Sequence, residues 1–231
     1  MDRELAKQGY LSEVDIFRDL APAEIEALGR RAPMRTVPAG TVLYAPEDAG
    51  EILFILKVGR VRLYRLSPDG KAFTMAIVEA GTIFGEMAML GQEMRDSHAE
   101  ALAPCVLCLM GRADVQTLLL GDPRIALRIT ETLGRRLLDA EQRLADFALK
   151  ALPQRLATLL VALAERQPPR LFRPGQREVR LTHEQLADLT GTHRETATKV
   201  LNELREAGLI ELRRGRVLVL DLAALREWGG A

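Results

Sequence analysis

Residues 182–210 constrain the fold more than any other stretch of this chain. Thr182 is followed three residues on by Gln185, and Thr192 by Glu195, and each pair has the form of a capping box that opens a helix. Leu186 and Leu189 give the first helix an apolar face; Ala197, Val200, Leu201 and Leu204 do so for the second. Gly191 stands between them. Two short amphipathic helices separated by a glycine form the pattern of a helix-turn-helix. In that motif the start of the second helix enters the DNA major groove, and here that start offers His193, Arg194, Glu195 and Lys199. The same pattern also serves as a plain packing unit, with Glu195 only a helix cap.

The residues beyond the motif favour DNA. Ala207-Gly208-Leu209-Ile210 ends the second helix, and the apolar runs Ile210–Leu212 and Val217–Leu220 flank Arg213-Arg214-Gly215-Arg216. Two short strands around a glycine turn predict a β-hairpin, which makes the whole a winged helix. Arg213, Arg214 and Arg216 at the wing tip suit phosphate contact, which positions a protein on DNA without specifying sequence; an ordinary solvated turn would carry the same residues. Thr182, His183, Thr192, His193 and Thr196 are the polar groups of the motif placed to touch the DNA backbone.

The net charge of zero is uneven along the chain. Residues 1–121 carry 13 Lys+Arg against 17 Asp+Glu, whereas residues 151–231 carry 13 against 10, so basic charge gathers at the helix-turn-helix end. With 231 residues and 48% hydrophobic content, two domains with real cores are expected. Cys105 and Cys108 are the only thiols, too few for a disulfide framework. Met1–Gln8 is polar and charged, unlike a secretory leader, and no apolar run reaches membrane-spanning length. A reducing, cytoplasmic setting is the expectation, with no membrane partner.

Upstream, residues 14–31 read as short helices, with Pro22 placed at a helix start. From Met34 the pattern changes to strand-like runs at Val37, Val42–Tyr44, Ile52–Leu56, Val61–Tyr64, Phe73–Val78 and Cys105–Leu109, punctuated by glycines. Many short strands at regular spacing indicate a β-barrel or roll. Asp122-Pro123 then opens a long helix with no decisive breaker before Pro153. Ile129, Leu133, Leu137, Ala140, Leu144 and Phe147 recur along it every three or four residues, as in a coiled coil. The stripe predicts a parallel dimer seam; packing on the chain's own β domain is the alternative. The expected class is α+β: a β-roll over 1–121, a long dimerisation helix and hinge over 122–150, and a winged helix-turn-helix over 151–231.

In that order of elements the chain resembles the cAMP receptor protein/FNR family of bacterial transcription regulators. Phe54–Tyr64 is similar to the family's central strand pair, Gly81–Met87 to the entry of its phosphate cassette, and Thr192–Lys199 to its recognition helix. The resemblance implies a cyclic-nucleotide-binding-like β-roll, a homodimer, and a TGTGA-like inverted repeat in double-stranded DNA. It also implies that Arg194, Glu195 and Lys199 face the bases. Arginine reads guanine O6 and N7, and glutamate accepts from cytosine N4. Lys199 stands where the family usually has arginine, keeping the charge and losing the planar fork. Activation through RNA polymerase is the family's usual mode.

The resemblance carries an effector pocket only in part. Gly85 and Glu86 match its turn and ribose positions, and Arg95 matches the phosphate-binding arginine once the preceding loop is shortened by one residue. Asp96 falls where cAMP binders donate a hydroxyl to the phosphate; an ionised carboxylate there would accept and repel. Pairing of Arg95 and Asp96 with each other or with Glu86 would close the pocket. Ala140 and Glu141 fall where adenine-touching hydroxyls belong, and neither supplies one. Three alternatives stay open: cAMP, another small effector, or DNA binding without an effector, the last fitting these residues best. No resident cofactor or metal is expected: Cys105 and Cys108 point to opposite faces of one strand, and an iron–sulfur cluster takes four cysteines. A P-loop, a metal-spaced His cluster and a Ser-His-Asp order are all missing from the sequence, which argues against an enzyme.

Overall fold

The computed structural model describes residues 14–25, 33–46, 48, 50–85, 96–167 and 176–230. The chain divides into two compact units, Met1–Leu137 and Leu138–Ala231.

The first unit is a β-roll of two four-stranded antiparallel sheets. Strands β1 (Met34–Val37), β8 (Cys105–Gly111), β3 (Ile52–Val58) and β6 (Thr82–Gly85) form one sheet in that spatial order. Strands β2 (Val42–Tyr44), β7 (His98–Ala101), β4 (Arg60–Leu66) and β5 (Ala72–Glu79) form the other. Strand β3 is buried on both faces. Phe54 and Leu56 join Val61, Leu63, Phe84 and Leu107 between the sheets. Leu53 and Ile55 turn the other way, toward Phe17, Ile83, Met110, Val115, Ile125 and Ile129. A period of two with apolar residues at every position is the mark of a strand covered on both sides. The same period sends Cys105 into the first cluster and Cys108 into the second, so the two free thiols lie on opposite faces as expected.

Between β3 and β4 the chain leaves one sheet for the other within a single residue. Gly59 makes that corner with φ 98°. A Cβ there would stand 2.5 Å from Cys105 Sγ and 2.6 Å from the Pro104 carbonyl oxygen, so both the turn and the close approach require glycine.

Helix α1 (Arg112–Gly121) follows β8, and α2 (Pro123–Leu149) is the long helix. Asp122 Oδ1 accepts from Arg124 N at 2.9 Å, capping the helix start as the sequence implied. The apolar stripe divides, however. Ile125 and Ile129 are buried in the core of their own β-roll and Leu133 packs against it, whereas Leu137 and Leu144 are 61% and 70% exposed. Ile129 is therefore unavailable to a dimer seam, because the outer face of the β3 sheet needs an apolar cover and the first turns of the helix supply it. Phe147 is half-buried beneath the Arg155 guanidinium, 4.8 Å from its ring centre. Ile129 realises the alternative of packing on the chain's own β domain, whereas Phe147 packs within the C-terminal unit and Leu137, Ala140 and Leu144 are exposed.

The second unit contains the remainder of α2, then α3 (Leu152–Glu165), β9 (Arg177–Val179), α4 (His183–Thr190), α5 (Arg194–Glu206), the hairpin β10 (Ile210–Arg213) and β11 (Arg216–Val219), and α6 (Leu222–Trp228). The long helix stops at Leu149 because a proline at 153 would set its ring against the carbonyl four residues back. The core of this unit joins Leu156, Leu160 and Ala164 of α3 with Leu186, Leu201, Leu204 and Val217, all fully buried.

Elements the sequence reading did not single out are α1, β6, β7, β9 and α6. Strand β9 extends the wing to three strands in the order β10-β11-β9. Of the helices expected over 14–31, a 3-10 turn forms at Asp15–Phe17 and a helical turn at 22–25, where Glu24 caps the Ala21 N–H; residues 26–32 lie outside the described residues. None of the described helices is long and apolar enough to cross a membrane.

Gly59→Ala is expected to destabilise the β-roll by about 2–4 kcal/mol, since it adds backbone strain to a steric clash. A urea midpoint unchanged from the wild-type chain would contradict the corner geometry.

Candidate nucleic-acid interface and effector pocket

The first helix of the motif starts as its sequence dictates. Thr182 Oγ1 accepts from Gln185 N at 3.2 Å, and Gln185 Oε1 accepts from Thr182 N at 2.9 Å. Helix α4 ends at Gly191, whose φ of 66° lets the chain reverse, with the Thr192 N–H closing on the Ala187 carbonyl at 3.0 Å. That closure corrects the second capping box. Thr192 belongs to the turn, His193 takes the extended N-cap conformation without a side-chain cap, and α5 begins at Arg194. Glu195 thus lies in the first turn, where its charge favours the helix N-terminus whatever else it does.

Helix α5 buries Ala197, Val200, Leu201 and Leu204 and leaves His193, Arg194, Glu195, Thr196 and Lys199 exposed. The sorting follows from helical spacing: the buried set recurs at three- and four-residue intervals, and the polar set occupies the first two turns of the opposite side. The two helices are tied by His183 Nδ1 and Thr198 Oγ1, 3.0 Å apart. Burial lowers the His183 pKa below its ordinary value, and the Arg194 guanidinium adds to the effect.

At the wing tip Arg213 and Arg216 face each other across β10 and β11, joined by Arg214-Gly215. The three arginines differ in their partners. Arg213 pairs with Glu211 at 2.8 Å, and Arg216 leans on Glu178 of β9 at 3.3 Å. Glu178 is also held by Arg180, and these cations keep its carboxyl below the usual range. Arg214 is exposed and forms no ion pair among the described residues. An open cleft of about 590 Å3 runs between the helix starts and the wing, and Thr182, His183, Glu184, Arg194, Arg213 and Arg214 line it. Residues from the two helix starts and from the wing, far apart in sequence and all but Glu184 expected to contact DNA, therefore share one surface. Its shape and charge suit a phosphate backbone passing between wing and helix.

The effector residues are less completely brought together. Gly85 is buried on β6, and a Cβ added there would collide with the Ile52 carbonyl oxygen. Glu86 and Arg95 lie outside the described residues. Asp96 is an exposed carboxylate with Arg65 at 3.9 Å. Ala140 and Glu141 are exposed positions on the long helix. The structure adds a residue the sequence reading missed. Arg136 donates to the Ile83 carbonyl oxygen of β6 and forms no ion pair with a carboxylate among the described residues. Burial holds its pKa below the ordinary guanidinium value. The available signal was its place seven residues beyond Ile129, a cation on the buried face of the helix.

Residues 34–122 match the family described as the cyclic nucleotide-binding domain, and residues 154–228 match the Crp-like helix-turn-helix domain. The chain is 32% identical to a cyclic AMP receptor protein of Thermus thermophilus, over 92% of this chain and 95% of that one. It is 29% identical to a CRP-like cAMP-activated global transcriptional regulator of Mycobacterium tuberculosis, over 96% of both chains. Among solved structures, a variant of CooA from Carboxydothermus hydrogenoformans superposes with a TM-score of 0.75 at 26% identity, covering 88% of this chain and 89% of that one.

The His183 environment sets a pH dependence. Because the folded state disfavours protonation, the unfolded chain binds more protons and the stability contribution is lost as pH falls below about 6.5. Urea midpoints between pH 7.5 and 5.5, both set around the histidine pKa of about 6.5, should fall more steeply for the wild-type chain than for His183→Gln. Parallel slopes would remove His183 as the cause.

Proposed function

Because the chain belongs to the CRP/FNR family of transcription regulators, we propose that it acts as a homodimeric, sequence-specific regulator that seats α5 in the major groove of a TGTGA-like inverted repeat. One observation carries the reading: Arg194, Glu195 and Lys199 are exposed on a helix whose other face is fully packed, and Arg194 opens onto the same cleft as the wing arginines. Arg194 pairs with guanine, Glu195 accepts from cytosine, and Lys199 makes a less geometrically restrictive contact. Thr182, His183, Thr192, His193 and Thr196 flank the phosphates, with Arg214 the leading backbone contact from the wing and Arg213 and Arg216 supporting it after exchanging their carboxylate partners.

Two-fold symmetry of the operator requires two-fold symmetry of the protein. Leu137, Ala140 and Leu144 form the seam in this reading. The β-roll over 1–121 senses, the helix over 122–150 dimerises, and 151–231 binds DNA. The protein acts in the cytoplasm as an activator that contacts RNA polymerase, and it has no catalytic role.

For the effector, the reading is DNA binding without cAMP. Asp96 brings an acceptor where a phosphate needs a donor, and Ala140 and Glu141 offer adenine no hydroxyl. A second reading is favoured by Arg136, whose buried guanidinium on β6 would hold the anionic part of another small effector beside Gly85.

The deciding experiment is DNA affinity for a TGTGA-type palindrome, with and without cAMP, at one salt concentration. Tight binding that ignores cAMP supports the first reading. Binding that appears only with cAMP refutes it, and failure to prefer the palindrome over scrambled DNA removes the base-contact assignments. Arg194→Ala should cost about 1–3 kcal/mol on the palindrome and relax preference at one G·C pair. Arg214→Ala should weaken binding to all sequences alike and reduce the salt slope by about 1. Leu144→Asp should yield monomers in sedimentation; a persistent dimer would move the seam elsewhere.

A further inference from the structure

The C-terminal unit contains a cavity of about 120 Å3 walled by the last turns of α2, by α3 and by the end of α4. Phe147, Leu159, Leu163 and Leu189 supply most of its apolar lining. Its volume is close to the ~150 Å3 of an engineered cavity that admits benzene, so a compact ring or branched chain fits.

The charged lining is asymmetric. Asp139 and Asp146 already have partners: Asp139 is bound by Arg166 at 2.8 Å, and Asp146 by Lys150 at 3.1 Å and Gln142 at 3.1 Å. Arg143 is largely desolvated, which lowers its pKa, with Arg166 adding to the effect and Asp139 opposing it. Arg155 lies over the Phe147 ring, 4.8 Å from its centre, and reaches the Thr190 carbonyl at 3.4 Å. Its Nε is sealed from solvent with no hydrogen-bond acceptor. Arg155 also lines the cavity, and a planar guanidinium is matched best by a carboxylate that takes two parallel hydrogen bonds.

We propose that this cavity is a binding site for a small organic carboxylate with a compact apolar body, separate from the effector pocket of the β-roll and independent of the DNA-contact assignments. The apolar body enters among Phe147, Leu159, Leu163 and Leu189, and the carboxylate meets Arg155. Because the walls come from the long helix and from the first helix of the helix-turn-helix, an occupant would brace one against the other.

Calorimetric titration of the full chain tests this, with benzoate as probe and benzamide as its uncharged isostere. Saturable binding of one benzoate per chain is expected, about tenfold or more tighter than benzamide. Arg155→Gln should abolish that preference, and Arg155→Lys should restore only part of it. Ala162→Phe, which fills the cavity mouth and leaves every cation in place, should prevent binding of both probes while circular dichroism confirms the fold. Absence of saturable benzoate binding would overturn the proposal, as would affinity unchanged in both Arg155→Gln and Ala162→Phe. Loss of binding in Arg136→Ala with retention in Arg155→Gln would equally overturn it by moving the site to the β-roll.

Discussion

The two-sided burial of strand β3 is the constraint on which the N-terminal unit depends. Leu53, Phe54, Ile55 and Leu56 are each no more than 4% exposed, and burying one such side chain stabilises by about 1.5–3 kcal/mol. One face is covered by the second sheet. The other has no sheet to meet, so helical segments cover it, and Ile125 and Ile129 of the long helix are part of that cover. The start of α2 is thereby committed to its own domain. The same packing carries Arg136, two turns on from Ile129, to the Ile83 carbonyl on the neighbouring strand β6. A cation meets a strand carbonyl because a sheet needed a cover.

A comparable division operates in the C-terminal unit. The apolar side of α5 is spent entirely on α3, α4 and the wing, which leaves its polar first turns rigid and free of internal duties. His183 and Thr198 join the two helices from within, while the wing arginines are graded by their carboxylates: Arg213 and Arg216 are paired, and Arg214 is exposed at the tip. A helix fixed by its buried face and read by its exposed one is what sequence recognition needs, since misplacement of a base-reading fork by an ångström loses bidentate geometry.

Much of this is legible in the amino-acid order alone. Periodicity locates α4 and α5, the glycine between them and the hairpin beyond, because each pattern is local and strong. Thr182 and Gln185 announce a cap that forms; Thr192 and Glu195 announce one that does not, since Thr192 is one residue too early and its N–H is taken by the reversal at Gly191. Strands β6 and β7 escape because four residues apiece, one ending in Gly85 and the other alternating His98 and Glu100 with alanines, carry little apolar signal. Strand β9 is shorter still, and only its pairing with β11 makes it a strand.

The sequence by itself determined the order of domains, the amphipathic faces of the motif helices, the opposite orientation of Cys105 and Cys108, and the chemistry at the start of α5. All of these follow from spacing within a few residues. Only the tertiary structure decided which part of the long apolar stripe is core and which is open, because Ile129 and Leu144 are equivalent in sequence and differ in whether a sheet lies beneath them. It also decided that Arg194 and the wing arginines share a cleft and that Arg136 is desolvated. Those properties depend on which distant segments meet, and no local period encodes them.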